Sequence, residues 1–218
     1  MQPLTPPFVH LNLRRNPFGE LPPEERPRLA VVDVGRWIEP LAAQPGFALQ
    51  VLGDAGRGKT THLLALREAL PEASYRHICE GERVPARAIV PGRPTIIDEC
   101  QRLLLRARRR VFARGDPLLL GSHEDHEPEL RRAGYEVETI RPADDLGRER
   151  LVSIVEARIE GARRSQGPVP GVSDEALDAL RERYATDVRA MEHCLYEVFQ
   201  RLSEIRNVEV FDLDRYRG

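Results

Sequence analysis

Lysine is nearly absent from this chain: of 33 basic side chains only Lys59 is a lysine, and the rest are arginine. Cysteine is scarce as well. Cys79, Cys100 and Cys194 lie far apart with no Cys-x-x-Cys spacing, which argues against a disulfide framework or a thiolate zinc site and reads as reduced, mostly buried thiols. Neither sign of charge dominates. With a formal net charge of −2, the molecule as a whole is not drawn to nucleic acid or anionic lipid, so such a contact would need a local patch. Long apolar runs are also missing, and none approaches the roughly 20 residues of a membrane span. The opening Met-Gln-Pro-Leu-Thr-Pro-Pro-Phe lacks a basic start followed by an apolar core. Neither a leader nor a membrane partner is therefore expected, and the cytoplasm is the expected location.

What remains is 218 residues, enough for one medium domain, or one domain with a small appendage, around a sizeable core. Residues 1 to about 28 are rich in proline (Pro3, Pro6, Pro7, Pro17, Pro22, Pro23, Pro27) and weak in periodicity, which predicts an extended arm that is laid over the body or partly mobile. Asp33 then starts a helix with Val34, Trp37, Ile38 and Leu41 on one face. Phe47–Gly53 is a short apolar run closed by glycine, as in a buried parallel strand, and a helix follows from Lys59 to about Leu70.

Strands are also expected in Ser-Tyr-Arg-His-Ile-Cys-Glu, Pro-Thr-Ile-Ile-Asp-Glu, Pro-Leu-Leu-Leu-Gly-Ser and Tyr-Glu-Val-Glu-Thr-Ile, with one helix over residues 100–115. Strands alternating with helices predict a parallel sheet. After Pro142 only helices are expected: Leu146 to Ala162, one capped by Ser173, and one from near Asp187 with Val188, Met191, Leu195, Val198 and Leu202 at spacings of three and four. The domain reading is an arm (1–32), an α/β body (33–143) and a helical lid (144–218).

Gly53-Asp54-Ala55-Gly56-Arg57-Gly58-Lys59-Thr60 fits the pattern Gly-x4-Gly-Lys-Ser/Thr and sits between the predicted strand and helix. The glycines let backbone N–H groups curl around a phosphate, and the helix N-terminus, with Thr61 in its first turn, adds its positive dipole end. Lys59 offers a compact charge for β and γ phosphates, and Thr60 a hydroxyl for Mg²⁺. Arginine's wide planar fork does not replace an ammonium in such a cradle, which explains one lysine kept among arginines.

Pro94-Thr-Ile-Ile-Asp98-Glu99 ends a buried strand in two carboxylates. The C-terminal ends of parallel strands face the ligand crevice, so Asp98 is expected to hold Mg²⁺ and Glu99 to act as general base on the attacking water.

With these residues in view, the chain resembles the AAA+ ATPases. Ile-Ile-Asp-Glu-Cys-Gln-Arg-Leu is similar to the Ile-Asp-Glu-Ala-Gln-x-Leu run of the bacterial branch that contains the secretion ATPase ExeA and the transposition regulator TniB. Asn16-Pro17-Phe18 resembles that branch's entry tripeptide. The resemblance spans about residues 16 to 205, and Cys100 departs from its alanine. It implies a P-loop three-layer αβα body with sheet order 5-1-4-3-2, a C-terminal helical lid, and ATP and Mg²⁺ as ligands. The implied function is Mg²⁺-dependent ATP hydrolysis that couples nucleotide state to a partner protein or to self-assembly.

The resemblance also implies a polar sensor at the end of the strand beside the acidic one, Ser122 with His123 as competitor, and a lid arginine, Arg189. An arginine in a first helical turn opposes the helix dipole, so Arg189 is expected to meet an anion, either the nucleotide or a neighbouring acid such as Asp187. Arg132, beside Arg131, is the candidate for an arginine lent to a neighbouring subunit, a solvated pair being the plainer alternative. Phe18, or another residue of the proline-rich arm, is a candidate cover for adenine. His123-Glu-Asp-His126-Glu127 is read as a loop in preference to a metal cluster. Arg102, Arg106, Arg109 and Arg110 are read as a solvated helix face, with DNA contact possible but not favoured. Two rivals stay open: a nucleotide-dependent switch or adaptor with negligible turnover of its own, and a small-molecule kinase, against which Asp98-Glu99 argues.

Overall fold

The structure, a computed structural model, describes residues 7–22, 24–144 and 146–215. The chain divides into two compact units, one running from Val32 through the fifth strand to residue 144, the other joining the residues up to Val31 with those from Leu146 onward.

The first unit is α/β. Its elements run α1 (Gly35–Ala43), β1 (Phe47–Leu52), α2 (Lys59–Ala69), β2 (Ser74–His77), β3 (Thr95–Asp98), α3 (Leu105–Phe112), β4 (Leu118–Ser122), α4 (Glu127–Arg132) and β5 (Glu136–Ile140). All the strand pairs are parallel, and the sheet order is β2-β3-β4-β1-β5. Every residue of β1, β3 and β4 is buried, as their continuous apolar runs require of strands covered on both faces.

Side-chain alternation assigns the two faces. Phe47, Leu49, Val51, Ile96 and Leu119 pack with Trp37 and Leu41 of α1 and Leu63 and Leu66 of α2. Ala48, Ile97, Leu118 and Leu120 pack with Val111 and Phe112 of α3 and Leu130 of α4. The register aligns the strand ends: Leu52 opposes Ser122, Gly121 opposes Asp98, and Asp98 opposes His77. The motif residues thereby arrive together at the C-terminal ends of neighbouring strands.

The second unit contains α5 (Arg148–Ala162), α6 (Asp174–Tyr184), α7 (Val188–Arg201) and α8 (Val210–Asp214). Ser173 caps α6 by accepting from the Ala176 N–H at 3.3 Å, and Asp187 caps α7 by accepting from the Ala190 N–H at 3.1 Å.

Phe8, Leu11, Leu13 and Phe18 are buried in one cluster with Leu151, Leu177, Leu195 and Phe199, so this stretch contributes to the helical unit's core. Pro3, Pro6 and Pro23 lie outside the described residues. Phe18 meets Phe199 edge to face at 5.1 Å. Burial of a side chain this size contributes about 2–3 kcal/mol, and that commitment removes Phe18 as a cover for adenine. Asn16 donates to the Tyr196 carbonyl at 2.9 Å and accepts from the Phe18 N–H at 3.0 Å, so Asn16-Pro17-Phe18 works as a structural corner.

Two further differences concern helices. The helix expected over residues 100–115 is broken: Cys100–Arg102 forms a 3-10 turn, and α3 starts only at Leu105. Burial of Cys100 and Leu103, with Leu104 and Leu105 exposed, cannot be met by one continuous helix face. The short α8, held by a capping box between Glu209 and Asp212, was not expected. No helix among the described residues is long and apolar enough to cross a membrane.

Candidate active site

The glycine loop leaves β1 at Gly53, whose N–H donates to the Ser122 carbonyl at 3.2 Å. Gly56 (φ 79°) and Gly58 (φ 84°) occupy the left-handed region, where a side chain would be strained, and this turns the chain into the first turn of α2. Lys59 begins that helix. Its ammonium is buried and donates to the Gly53 carbonyl at 2.8 Å and the Asp54 carbonyl at 2.9 Å, with His123 Nε2 at 3.2 Å. Asp54 and Ala55 are exposed at the loop's tip, whereas Arg57, Thr60 and Thr61 are half-buried.

Thr60 Oγ1 donates to Asp98 Oδ2 at 3.0 Å, which joins the two motifs. The same oxygen accepts from the Tyr75 hydroxyl at 3.1 Å and lies 3.2 Å from His77 Nδ1, both on β2. Asp98 Oδ1 is buried with no hydrogen-bond partner. A buried, unpaired carboxylate oxygen is costly, so it marks a position suited to a cation or water. A Cβ on Gly121 would stand 2.9 Å from that oxygen and 3.1 Å from Leu63, so glycine here keeps the space beside the carboxylate open.

Glu99 follows in the left-handed region (φ 65°), an unusual conformation for a glutamate, and the 3-10 turn behind it is anchored by Cys100. Burial pushes the Cys100 thiol up to about 12, so it stays protonated and serves as packing. Glu99 Oε2 accepts from Gln101 Nε2 at 2.8 Å, with Arg102 Nη2 at 3.3 Å, and Oε1 lies 3.5 Å from His123 Nε2. Lys59, His123 and Glu99 thus form a contiguous row.

Ser122 is fully buried, and its hydroxyl is fully committed. It donates to Gln101 Oε1 at 3.1 Å, accepts from the Glu124 N–H at 3.0 Å, and has His126 Nε2 at 3.0 Å. With its one proton spent on Gln101, Ser122 accepts from His126, which therefore carries its proton on Nε2. Burial, followed by the charge of Arg108, lowers the His126 pKa and favours this neutral form. Gln50 on β1 fixes the loop from below: Gln50 Oε1 accepts from the His126 N–H at 2.7 Å, and Gln50 Nε2 donates to Asp125 at 2.9 Å. Asp125 is lowered by that hydrogen bond. Of the two residues weighed as sensor, His123 lies beside Lys59 and Glu99, while the Ser122 hydroxyl meets Gln101, His126 and the Glu124 N–H.

Lys59, Thr60, Asp98, Glu99 and the end of β4 are therefore brought together within the α/β unit. Arg131 pairs with Glu127 at 2.7 Å, and Arg132 is exposed with no ion pair among the described residues. Arg189 belongs to the helical unit, in the first turn of α7, where it is exposed and has no ion pair among the described residues, from Asp187 or from a glutamate. Arg106, Arg109 and Arg110 are exposed on α3, whereas Arg102 precedes that helix and donates to the Ile78 carbonyl at 3.0 Å. No group of three or more His, Cys, Asp or Glu among the described residues could hold a metal ion as a cluster.

Tyr75, His77 and Gln101 carry no role in the sequence pattern, and His126 only a place in the His123–Glu127 loop. Their partners lie about 20 residues away in sequence or arise from a local turn, and periodicity reports neither. No model of a known protein family matches the chain, and no curated protein matches it significantly.

Proposed function

We propose that this chain is a P-loop ATPase of the AAA+ kind, which binds ATP with Mg²⁺, hydrolyses it to ADP and phosphate, and uses the nucleotide state to control a protein partner or its own assembly. The observation that carries the reading is the 3.0 Å hydrogen bond from Thr60 to Asp98, which unites a glycine loop and an acidic strand end lying far apart in sequence. The strand order, 5-1-4-3-2 when counted from the β5 edge, supports the same class.

The donor set suits the metal. Thr60 and Asp98 offer only oxygen, as a hard cation requires, and Asp98 Oδ1 is a buried oxygen lacking a partner. Mg²⁺, when bound, supplies charge neutralisation at the phosphate oxygens. The protein's own residues do the rest. Loop N–H groups and the α2 N-terminus bind phosphate, and Lys59 exchanges its loop carbonyls for phosphate oxygens. Glu99 orients a water and takes its proton, and His123 lies between Lys59 and Glu99. Arg189 is proposed as the nucleotide-sensing cation and Arg132 as an arginine offered to a neighbouring copy; the α5–α8 unit is proposed as the lid.

One observation favours the second reading, a switch that binds ATP but turns over negligibly alone. Gln101 and Arg102 already hold Glu99, and Lys59 is held by its own loop. Both readings require binding. Calorimetric titration of the purified chain with ATP is expected to show saturable binding with Mg²⁺ and weaker binding in EDTA. Absence of binding in both conditions contradicts the proposal.

A further inference from the structure

Gln101 lies in the Ile-Ile-Asp-Glu-Cys-Gln-Arg-Leu run without a role of its own, yet its carboxamide joins two strand ends. Its Nε2 donates to Glu99 Oε2 at 2.8 Å, while its Oε1 accepts from Ser122 Oγ at 3.1 Å and from the His123 N–H at 3.3 Å. The amide can sit only one way round. Flipped, its oxygen would face the Glu99 carboxylate and its NH₂ group would face the His123 N–H, both repulsive.

The local backbone explains why residue 101 can do this. Glu99 is in the left-handed region, and the following 3-10 turn folds the side chain of residue 101 back onto that of residue 99. Buried Cys100 and Leu103 hold the turn in place. Ser122, the other end of the bridge, is itself immobilised by His126 and the Glu124 N–H.

We infer that Gln101 is a positioning residue: it fixes the Glu99 carboxylate relative to the end of β4, so that a displacement of Ser122 or His123 is passed to Glu99. This rests on the proposed hydrolase reading, in which Glu99 is the general base. The chemistry requires a donor facing Glu99 and an acceptor facing β4 in the same planar group, which among uncharged side chains only an amide of this length provides here.

Two variants separate the bridge from simple packing. Gln101→Ala removes both halves. Gln101→Glu is nearly isosteric and keeps the acceptor toward Ser122 and His123, but sets a carboxylate oxygen against Glu99 in place of the donor. Misplacement of a catalytic group by about 1 Å costs up to about 100-fold in rate. Both variants are expected to lose about 10- to 100-fold in kcat for ATP hydrolysis while KM for ATP stays near wild type. With Ser122→Ala added, the Gln101→Ala loss is expected not to double, because one bridge is being cut twice.

If Gln101→Glu retains wild-type kcat, the residue acts as packing alone and the inference is overturned, with the hydrolase reading intact. A wild type no faster than Glu99→Gln overturns both. Loss confined to KM also overturns the inference, since it would place Gln101 in nucleotide binding.

Discussion

Replacing Lys59 by arginine is expected to weaken ATP binding as much as replacing it by alanine does, by about 100-fold. The charge survives this substitution, so the prediction isolates shape. Lys59 Nζ is buried and lies within 2.8–2.9 Å of two carbonyls of its own loop, a space matched to a compact ammonium. A guanidinium is planar and wider, and at that site it either displaces the loop or turns outward. Loss of one or two charge-assisted hydrogen bonds to phosphate costs about 3 kcal/mol, or about 100-fold in affinity. Titration of ATP into both variants checks this, and an arginine variant that binds like wild type contradicts it. The same result would account for the chain's composition, in which arginine serves at every basic position except this one.

Asp98→Asn is expected to raise the Mg²⁺ concentration needed for ATP binding by about 10- to 100-fold. The amide oxygen can take the place of Oδ2 and still accept from Thr60 and Tyr75. Its NH₂ group then takes the place of the buried Oδ1 beside Gly121, and the anionic oxygen that suits a cation is gone. Magnesium titrations of ATP binding measure the effect. An unchanged magnesium requirement would remove Asp98 from the metal site.

The two segments that the structure joins in the candidate site are each local in sequence, and their places at strand ends were legible for that reason. Gly53–Thr60 needs only a strand before it and a helix after it, and Asp98-Glu99 needs only an apolar run that ends in acids. Continuous burial of β1, β3 and β4 follows from composition alone. What escaped depends on contacts between segments. Nothing in the pattern of Ser-Tyr-Arg-His says that Tyr75 and His77 serve Asp98, because that follows from the β2–β3 register. The proline-rich opening looked like an arm because periodicity is weak there, yet Phe8, Leu11, Leu13 and Phe18 find their partners on helices more than 100 residues later. Ser122 was read from its place at a strand end, but its hydroxyl was already spent on Gln101, His126 and the Glu124 N–H.

The central claim is that Glu99 drives hydrolysis of ATP bound on the Lys59 loop. Phosphate release from saturating ATP and Mg²⁺ by the full chain, wild type beside Glu99→Gln, tests it most directly. The account predicts turnover that requires Mg²⁺ and falls by about 100- to 10,000-fold in the variant, with ATP binding retained. Equal phosphate release by wild type and Glu99→Gln would contradict it.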